Sequence, residues 1–382
     1  MNPSSKNKTL LIIVGDKSAD LYGAKLVHEL KKIDSSINIV GTGGEKMREE
    51  GVKILYDVKD MSVIGLWEAV SKVSLIRKIK RDILKLLDTN TINAAVLLDF
   101  PGFNLHIAAE IRGRNIPVIY YISPQIWAWG SGRIKKIKKR VNKMLVILPF
   151  EVDIYRNAGV DVRFIGHPLF DVINADSDKE LICSQLGLNP SSPIIGILPG
   201  SRNKEVRFLL PSMMDGALLI REKISDAQFI LPRAKEVDES YVKKIISGKG
   251  VEVKVVDGNS HEVMRVSDIS IICSGTATLE AAILGSPMLI VYRLSKITEI
   301  IGRRMLKIKQ WGLVNIMAGK EIVPELEQEE VNGENLSAYV ISVLKSEKKR
   351  KSIERKLSEI ASSLGGSGAS MIAAKEIAEF LN

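Results

Sequence analysis

The sequence predicts an α/β protein built as two doubly wound parallel sheets, and three observations carry that reading. Short apolar runs alternate with stretches of helical period along most of the 382 residues, the pattern of parallel strands covered by helices on both faces. The length exceeds one ordinary core and suits two domains of about 150–200 residues each. A connector between Gly166 and Pro193, holding GHPLFD, a polar run and NPSSP, marks the break between them.

In the first half the apolar runs place strands at Leu10–Val14, Ile37–Thr42, Ala94–Leu98, Val118–Ile122, Lys143–Ile147 and Val162–Ile165. The connector carries one short helix, Asp178–Leu186. The second half places strands at Ile194–Leu198, Gln228–Leu231, Val251–Val255, Ile269–Ile272 and Met288–Val291. After Ser337 the chain turns helical and charged, breaks at GGSG and ends in a helix near Ala369–Leu381. The expected divisions are residues 1–170, a linker at 171–192, a second domain at 193–345 and C-terminal helices at 346–382.

Composition narrows the function classes. Hydrophobic residues make up 45% and charged residues 26%, the profile of a folded globular chain. The two cysteines, Cys183 and Cys273, stand far apart without CxxC or Cys/His spacing, so neither a disulfide framework nor a zinc site is expected, and a reducing cytoplasm fits. No apolar run reaches the roughly 18–20 residues of a spanning helix, and the apolar run Leu10–Val14 is too short for a signal sequence. A net charge of +10 favours anionic partners: nucleic acid, nucleotides or phospholipid surfaces. Nucleic acid is disfavoured, because no RNP, KH or helix-turn-helix signature occurs and aromatics are only 5%.

In such sheets ligands bind beyond the carboxyl ends of the strands, so the loops there hold the candidates. GDKSADLYGAKL follows the first strand and opens a helix, grouping Asp16, Ser18 and Asp20 at a helix N-terminus; capping by Ser18 or Asp20 is the plainer alternative. LLDFPGFN ends a buried strand on Asp99, a place for a raised pKa and general-base work, or for a cap on the helix starting near Phe103. YYISPQIWAWGSGRIKKIKK sets Trp127 and Trp129 in a loop, suited to sugar stacking or to core anchoring, ahead of a basic helix Arg133–Arg140. LPGSRNKEV offers Gly200 for close backbone approach, with the hydroxyl of Ser201 and planar cation of Arg202, for a diphosphate. SGTATLEAAILGSPML opens a helix with Ser274, Gly275 and Thr276, whose amides suit phosphate, and Glu280, placed for ribose hydroxyls, one turn in. Neither GxGxxG nor a P-loop is present. Met61–Ile83 sets Leu66, Trp67 and Val70 at helical spacing before Arg77, Lys78 and Arg81, which fits either core packing or an interfacial helix.

Taken in order and spacing, SPQIWAW (Ser123–Trp129), LPFE (Leu148–Glu151), FIGHP (Phe164–Pro168), LPGSR (Leu198–Arg202), SGTATLE (Ser274–Glu280) and GLVNIMAGKEIVPELEQ (Gly312–Gln328) closely resemble the lipid-A-disaccharide synthase family. The resemblance implies a GT-B fold, two Rossmann-like domains facing across a cleft, with C-terminal helices packing back on an N-terminal domain or swapping within a homodimer. It implies no metal and no other cofactor. The implied reaction moves 2,3-diacylglucosamine from UDP to the 6-hydroxyl of 2,3-diacylglucosamine 1-phosphate (lipid X), with inversion, at the cytoplasmic face of the inner membrane and against its anionic surface. Asp99 would then be the base, Arg202 would meet the departing diphosphate, and Asn315 and Gln328 would line the donor site. Asp16, Ser18, Asp20 and Trp127 would stand near the reacting sugars. Two departures are visible: the family's GExSGD is GDKSAD here, and DxPDFN is DFPGFN, which leaves Asp99 the only acid of its loop.

Overall fold

The computed structural model describes residues 8–61, 66–173, 178–294 and 310–381, with the side chains of 66–73 also outside the description. The chain divides into two units: Met1–Asp171 with Leu364–Asn382, and Val172–Ser363.

The first unit is a seven-stranded parallel sheet of β1 (Thr9–Ile13), β2 (Asn38–Gly43), β3 (Lys53–Asp57), β4 (Ala94–Leu98), β5 (Val118–Tyr121), β6 (Lys143–Val146) and β7 (Val162–Phe164), in the order β3-β2-β1-β4-β5-β6-β7. The central strands are apolar on both faces because helices cover both: Leu10 to Ile13 and Ala94 to Leu98 are all fully buried. The second unit repeats the plan with β8 (Ile194–Leu198), β9 (Gln228–Arg233), β10 (Lys254–Asp257), β11 (Ile269–Cys273), β12 (Met288–Tyr292) and β13 (Glu325–Glu327), in the order β10-β9-β8-β11-β12-β13, also parallel. In each sheet the strand order reverses once, between β1 and β4 and between β8 and β11. Those switch points are where neighbouring crossovers run to opposite faces and leave a crevice.

Two strands were not anticipated, β3 and β13, and both are sheet edges. KILYD and ELE have no fully apolar run, and only partial burial to reward one. The alternation in Val251–Val255 also misplaced β10, which begins at Lys254.

The expected C-terminal block 346–382 is divided. The helix Glu347–Ser363 belongs to the second unit, where it buries Ile353, Leu357 and Ile360. From Leu364 the chain joins the first unit, and the helix Ala369–Ala378 packs on the helix Lys17–Ile33 through Ala373, Ala374 and Ile377. Its one buried acid, Glu376, is paired with Lys143 at 3.2 Å and with Arg163. Asp171 caps the start of this helix, accepting from the amides of Gly368 at 2.6 Å and Ser370 at 2.8 Å. Among the described residues no helix is long and apolar enough to cross a membrane.

Candidate active site

At the switch point of the first unit, the loops after β1 and β4 are locked together. Asp99 and Phe100 both take left-handed backbone, φ 43° and 46°, and Ile122 after β5 does the same at 64°. A non-glycine residue there costs about 1–3 kcal/mol and persists only where its surroundings hold it. Here Asn104, fully buried, donates its amide to the carbonyls of Leu98 at 3.0 Å and Asp99 at 2.8 Å, and the Tyr120 hydroxyl donates to the Asp99 carbonyl at 2.5 Å. The Phe100 ring lies so close over Gly15 that a Cβ there would stand 2.3 Å from it, which is why the position is glycine. The helix Pro101–Arg112 starts on proline with Phe100 as N-cap, so Asp99 is free of the capping role.

The Asp99 carboxyl is largely buried, and its pKa is pushed from 3.8 to about 6. Burial is the larger cause, the neighbouring charge of Asp16 adds to it, and the Phe100 amide partly offsets it. Asp16 is the N-cap of Lys17–Ile33, accepting from the Ala19 amide at 2.8 Å; Ser18 is exposed in the first turn. Capping by Ser18 or Asp20 is therefore not what the structure shows. Asp20 turns away from the loop: it is 5% exposed and accepts from the amides of Gly44 at 2.5 Å, Lys46 at 3.1 Å and Met47 at 3.3 Å. It caps the neighbouring helix Glu45–Glu49, and three backbone amides hold its buried carboxylate inside the fold.

Beyond β5, Trp127 is half-buried, edge-on to Phe150 at 5.3 Å between ring centroids, and donates its indole N–H to Glu151 at 3.1 Å. Glu151 was not among the expected site residues, although it closes the LPFE word. It is deeply buried, and burial pushes its carboxyl up to about 7. Trp129 carries the Arg133 guanidinium 3.9 Å over its ring.

In the second unit the loops after β8 and β11 flank the other switch point. Gly200 is left-handed at φ 113°, with the Glu205 carboxylate packed against it. That carboxylate accepts from the amides of Ser201 at 3.0 Å and Arg202 at 3.2 Å and pairs with the Arg202 guanidinium at 2.7 Å. Glu205 thus closes a capping box at the start of the helix Asn203–Lys223. After β11, Ser274 donates to the Trp311 carbonyl at 2.7 Å, and Gly275 and Thr276 are exposed ahead of the helix Ala277–Ile283. Glu280 sits one turn in, 3.1 Å from His261 Nε2. His261 lies after β10 and was also not anticipated.

Asn315 does not face a ligand. It is fully buried, donating to Val323 at 2.8 Å and Glu325 at 2.6 Å and accepting from Ile322 and Val323, so every polar atom stitches 322–325 to its own helix. Gln328, left-handed at φ 48°, accepts from the Leu294 amide at 2.9 Å, and its carbonyl takes the Arg293 guanidinium. Of the expected surface residues, Arg77, Lys78 and Arg81 are exposed on the helix Leu66–Thr89; the side chains of Leu66, Trp67 and Val70 lie outside the described residues.

The lipid-A-disaccharide synthetase family model matches residues 10–376. The lipid-A-disaccharide synthase of Syntrophus aciditrophicus is 40% identical over 96% of both chains. That of Geobacter metallireducens is 36% identical over 99% of this chain and 98% of its own. Among solved structures, the UDP-GlcNAc 2-epimerase of Neisseria meningitidis bound to UDP-GlcNAc superposes with a TM-score of 0.65, 14% identity, and 97% and 100% of the two chains covered. The calicheamicin glycosyltransferase CalG4 gives 0.62, at 13% identity and 98% of each chain. At such identities these likenesses establish the fold alone, the GT-B plan of two Rossmann-like units.

Proposed function

This chain belongs to the lipid-A-disaccharide synthase family, glycosyltransferases of lipid A biosynthesis, and from that premise we propose its reaction in full. The protein transfers 2,3-diacylglucosamine from UDP to the 6-hydroxyl of 2,3-diacylglucosamine 1-phosphate, releasing UDP and forming a β-linked disaccharide 1-phosphate. The observation that carries this reading is Asp99: an acid raised to about 6, fixed at the crevice of a doubly wound sheet by backbone that Asn104 and Tyr120 hold.

A carboxylate of that pKa is ionised at neutral pH and still a stronger base than an exposed aspartate. As the acceptor oxygen bonds to the anomeric carbon, its proton passes to Asp99, while the bond from that carbon to the diphosphate breaks on the opposite face. Attack opposite the leaving group inverts the centre. The charge gathering on UDP is met by the guanidinium of Arg202 and the amides of Ser201 and Arg202, which Glu205 occupies here, together with the exposed turn at Gly275 and Thr276. Glu280 holds the ribose hydroxyls. Asp16 and Ser18 attend the reacting sugars, and Trp127 the acceptor.

The lipid substrates place the protein on the inner face of the inner membrane as a peripheral protein, with Arg77, Lys78 and Arg81 and the exposed lysines 135, 136, 138 and 139 meeting anionic headgroups. The helix Ala369–Ala378, packed on the first unit's own Lys17–Ile33, is the element through which a swapped homodimer would form. Proton NMR of the purified product tests the stereochemistry: a large H1–H2 coupling at the new linkage supports inversion from an α-linked donor, and a small one contradicts it.

A further inference from the structure

The word SPQIWAW has, so far, contributed one half-buried ring. What holds it is more unusual. Glu151 is 1% exposed, and its carboxylate is met by hydrogen-bond donors alone: Ser123 Oγ at 2.6 Å and Trp127 Nε1 at 3.1 Å on Oε1, and the Leu148 amide at 3.3 Å on Oε2. Among the described residues no cation pairs with it, and burial dominates its electrostatics. Burying an acid without a counter-ion is a cost that an apolar or amide side chain would avoid. A second grip comes from the same helix, Glu151–Asn157: the Tyr155 hydroxyl, fully buried, donates to the Pro124 carbonyl at 3.1 Å. The loop itself leaves β5 through the left-handed Ile122. One short helix thus holds a strained loop at three points, Ser123, Pro124 and Trp127.

We infer that Glu151 is a positioning residue for acceptor recognition, acting through Trp127 and Ser123 to fix the loop 123–129. This rests on the reading that Trp127 serves the acceptor. The carboxylate is required rather than any polar group of its shape. Both of its oxygens face donors, whereas a glutamine presents one oxygen and one N–H₂. Turned either way, the amide sets N–H against the Leu148 amide or against Ser123 and Trp127 together. The loop then loosens while the buried charge disappears, so acceptor binding and fold stability part company.

The experiment is steady-state kinetics of the full chain carrying Glu151→Gln, each substrate varied in turn, with thermal midpoints recorded alongside. The expected result is an acceptor KM raised about tenfold, the factor for one impaired hydrogen bond to a charged group. The donor KM should stay within twofold and the midpoint should not fall. An unchanged acceptor KM, or equal rises in both KM values, would overturn the inference. If Glu151→Gln does not fold, Ser123→Ala and Trp127→Phe decide. These side chains meet on one oxygen of Glu151, so their effects on acceptor KM must be coupled in the double variant; simple multiplication of the two refutes the proposal. Failure of the underlying reading looks different, because Trp127→Ala would then leave the acceptor KM unchanged, whereas failure of this inference alone leaves Trp127→Ala impaired and Glu151→Gln unimpaired.

Discussion

Replacing Asp99 by asparagine should cut turnover steeply and, at neutral pH, make the protein more stable. The carboxyl's pKa stands at about 6 in the folded chain against 3.8 ordinarily, so the folded state holds the proton more tightly than the unfolded one. For an acid shifted upward, stability is greatest below the unfolded value and is lost as pH rises through the folded one. About two units at 1.36 kcal/mol each make the ionised carboxylate cost on the order of 3 kcal/mol above pH 7, roughly half that near pH 5, and almost nothing below about pH 3. Asparagine removes the ionisation and the repulsion from Asp16 while keeping the shape. Chemical denaturation of Asp99→Asn should show a gain of roughly 2–3 kcal/mol at pH 8 that shrinks by about half at pH 5. The same variant should lose about 10²–10⁴ in kcat, the usual contribution of a general base. In the wild type, kcat/KM should fall tenfold per unit as pH drops below about 6. Equal stability of the two proteins at pH 8, or retained turnover in the variant, would refute the reasoning.

Three further outcomes follow from the same geometry. Arg202→Ala should leave the thermal midpoint within a degree or two, since the guanidinium is exposed and its ion pair with Glu205 is at the surface, yet cut kcat by about 10²–10³ through loss of the cation that meets the leaving group. Asn104→Ala should cost about 1–3 kcal/mol in denaturation, because the Leu98 carbonyl loses the Asn104 amide and the Asp99 carbonyl is left with Tyr120, and should lower kcat more than it raises either KM as the Asp99 turn relaxes. Gly102→Asp, which restores the family's second carboxylate, should fold with unchanged stability by calorimetry, because a Cβ there meets nothing within 4 Å.

What the sequence made legible, and what it did not, divides on physical grounds. Interior strands such as Leu10–Val14 and Ala94–Leu98 announce themselves because parallel strands buried on both faces read as continuous apolar runs; the edges β3 and β13 have no such signature. Asp99 and Arg202 could be proposed because loops after strand ends gather chemistry, and both stand there. Asp20 and Asn315 lie in other quoted words, GDKSADLYGAKL and GLVNIMAGKEIVPELEQ, but whether a polar side chain faces a crevice or closes its own fold depends on packing that the word does not show. Asp20 went to the Gly44 amide, and Asn315 to Val323 and Glu325. Glu151 and Glu205 were missed for the converse reason. Each lies within a quoted word, LPFE and LPGSRNKEV, yet only the folded chain shows one bonded to Trp127 and the other to the Ser201 and Arg202 amides. The spacing from Arg202 to Glu205 was the available clue, since an acid three residues past an N-cap reaches back to it.

The most direct measurement is UDP release by the purified full chain, given UDP-2,3-diacylglucosamine with and without 2,3-diacylglucosamine 1-phosphate in detergent micelles, with products followed by mass spectrometry. UDP appearing together with a tetraacyl disaccharide monophosphate, and only when the acceptor is present, is the predicted result. UDP released without acceptor, or no UDP from a protein that still binds the donor, would contradict the account.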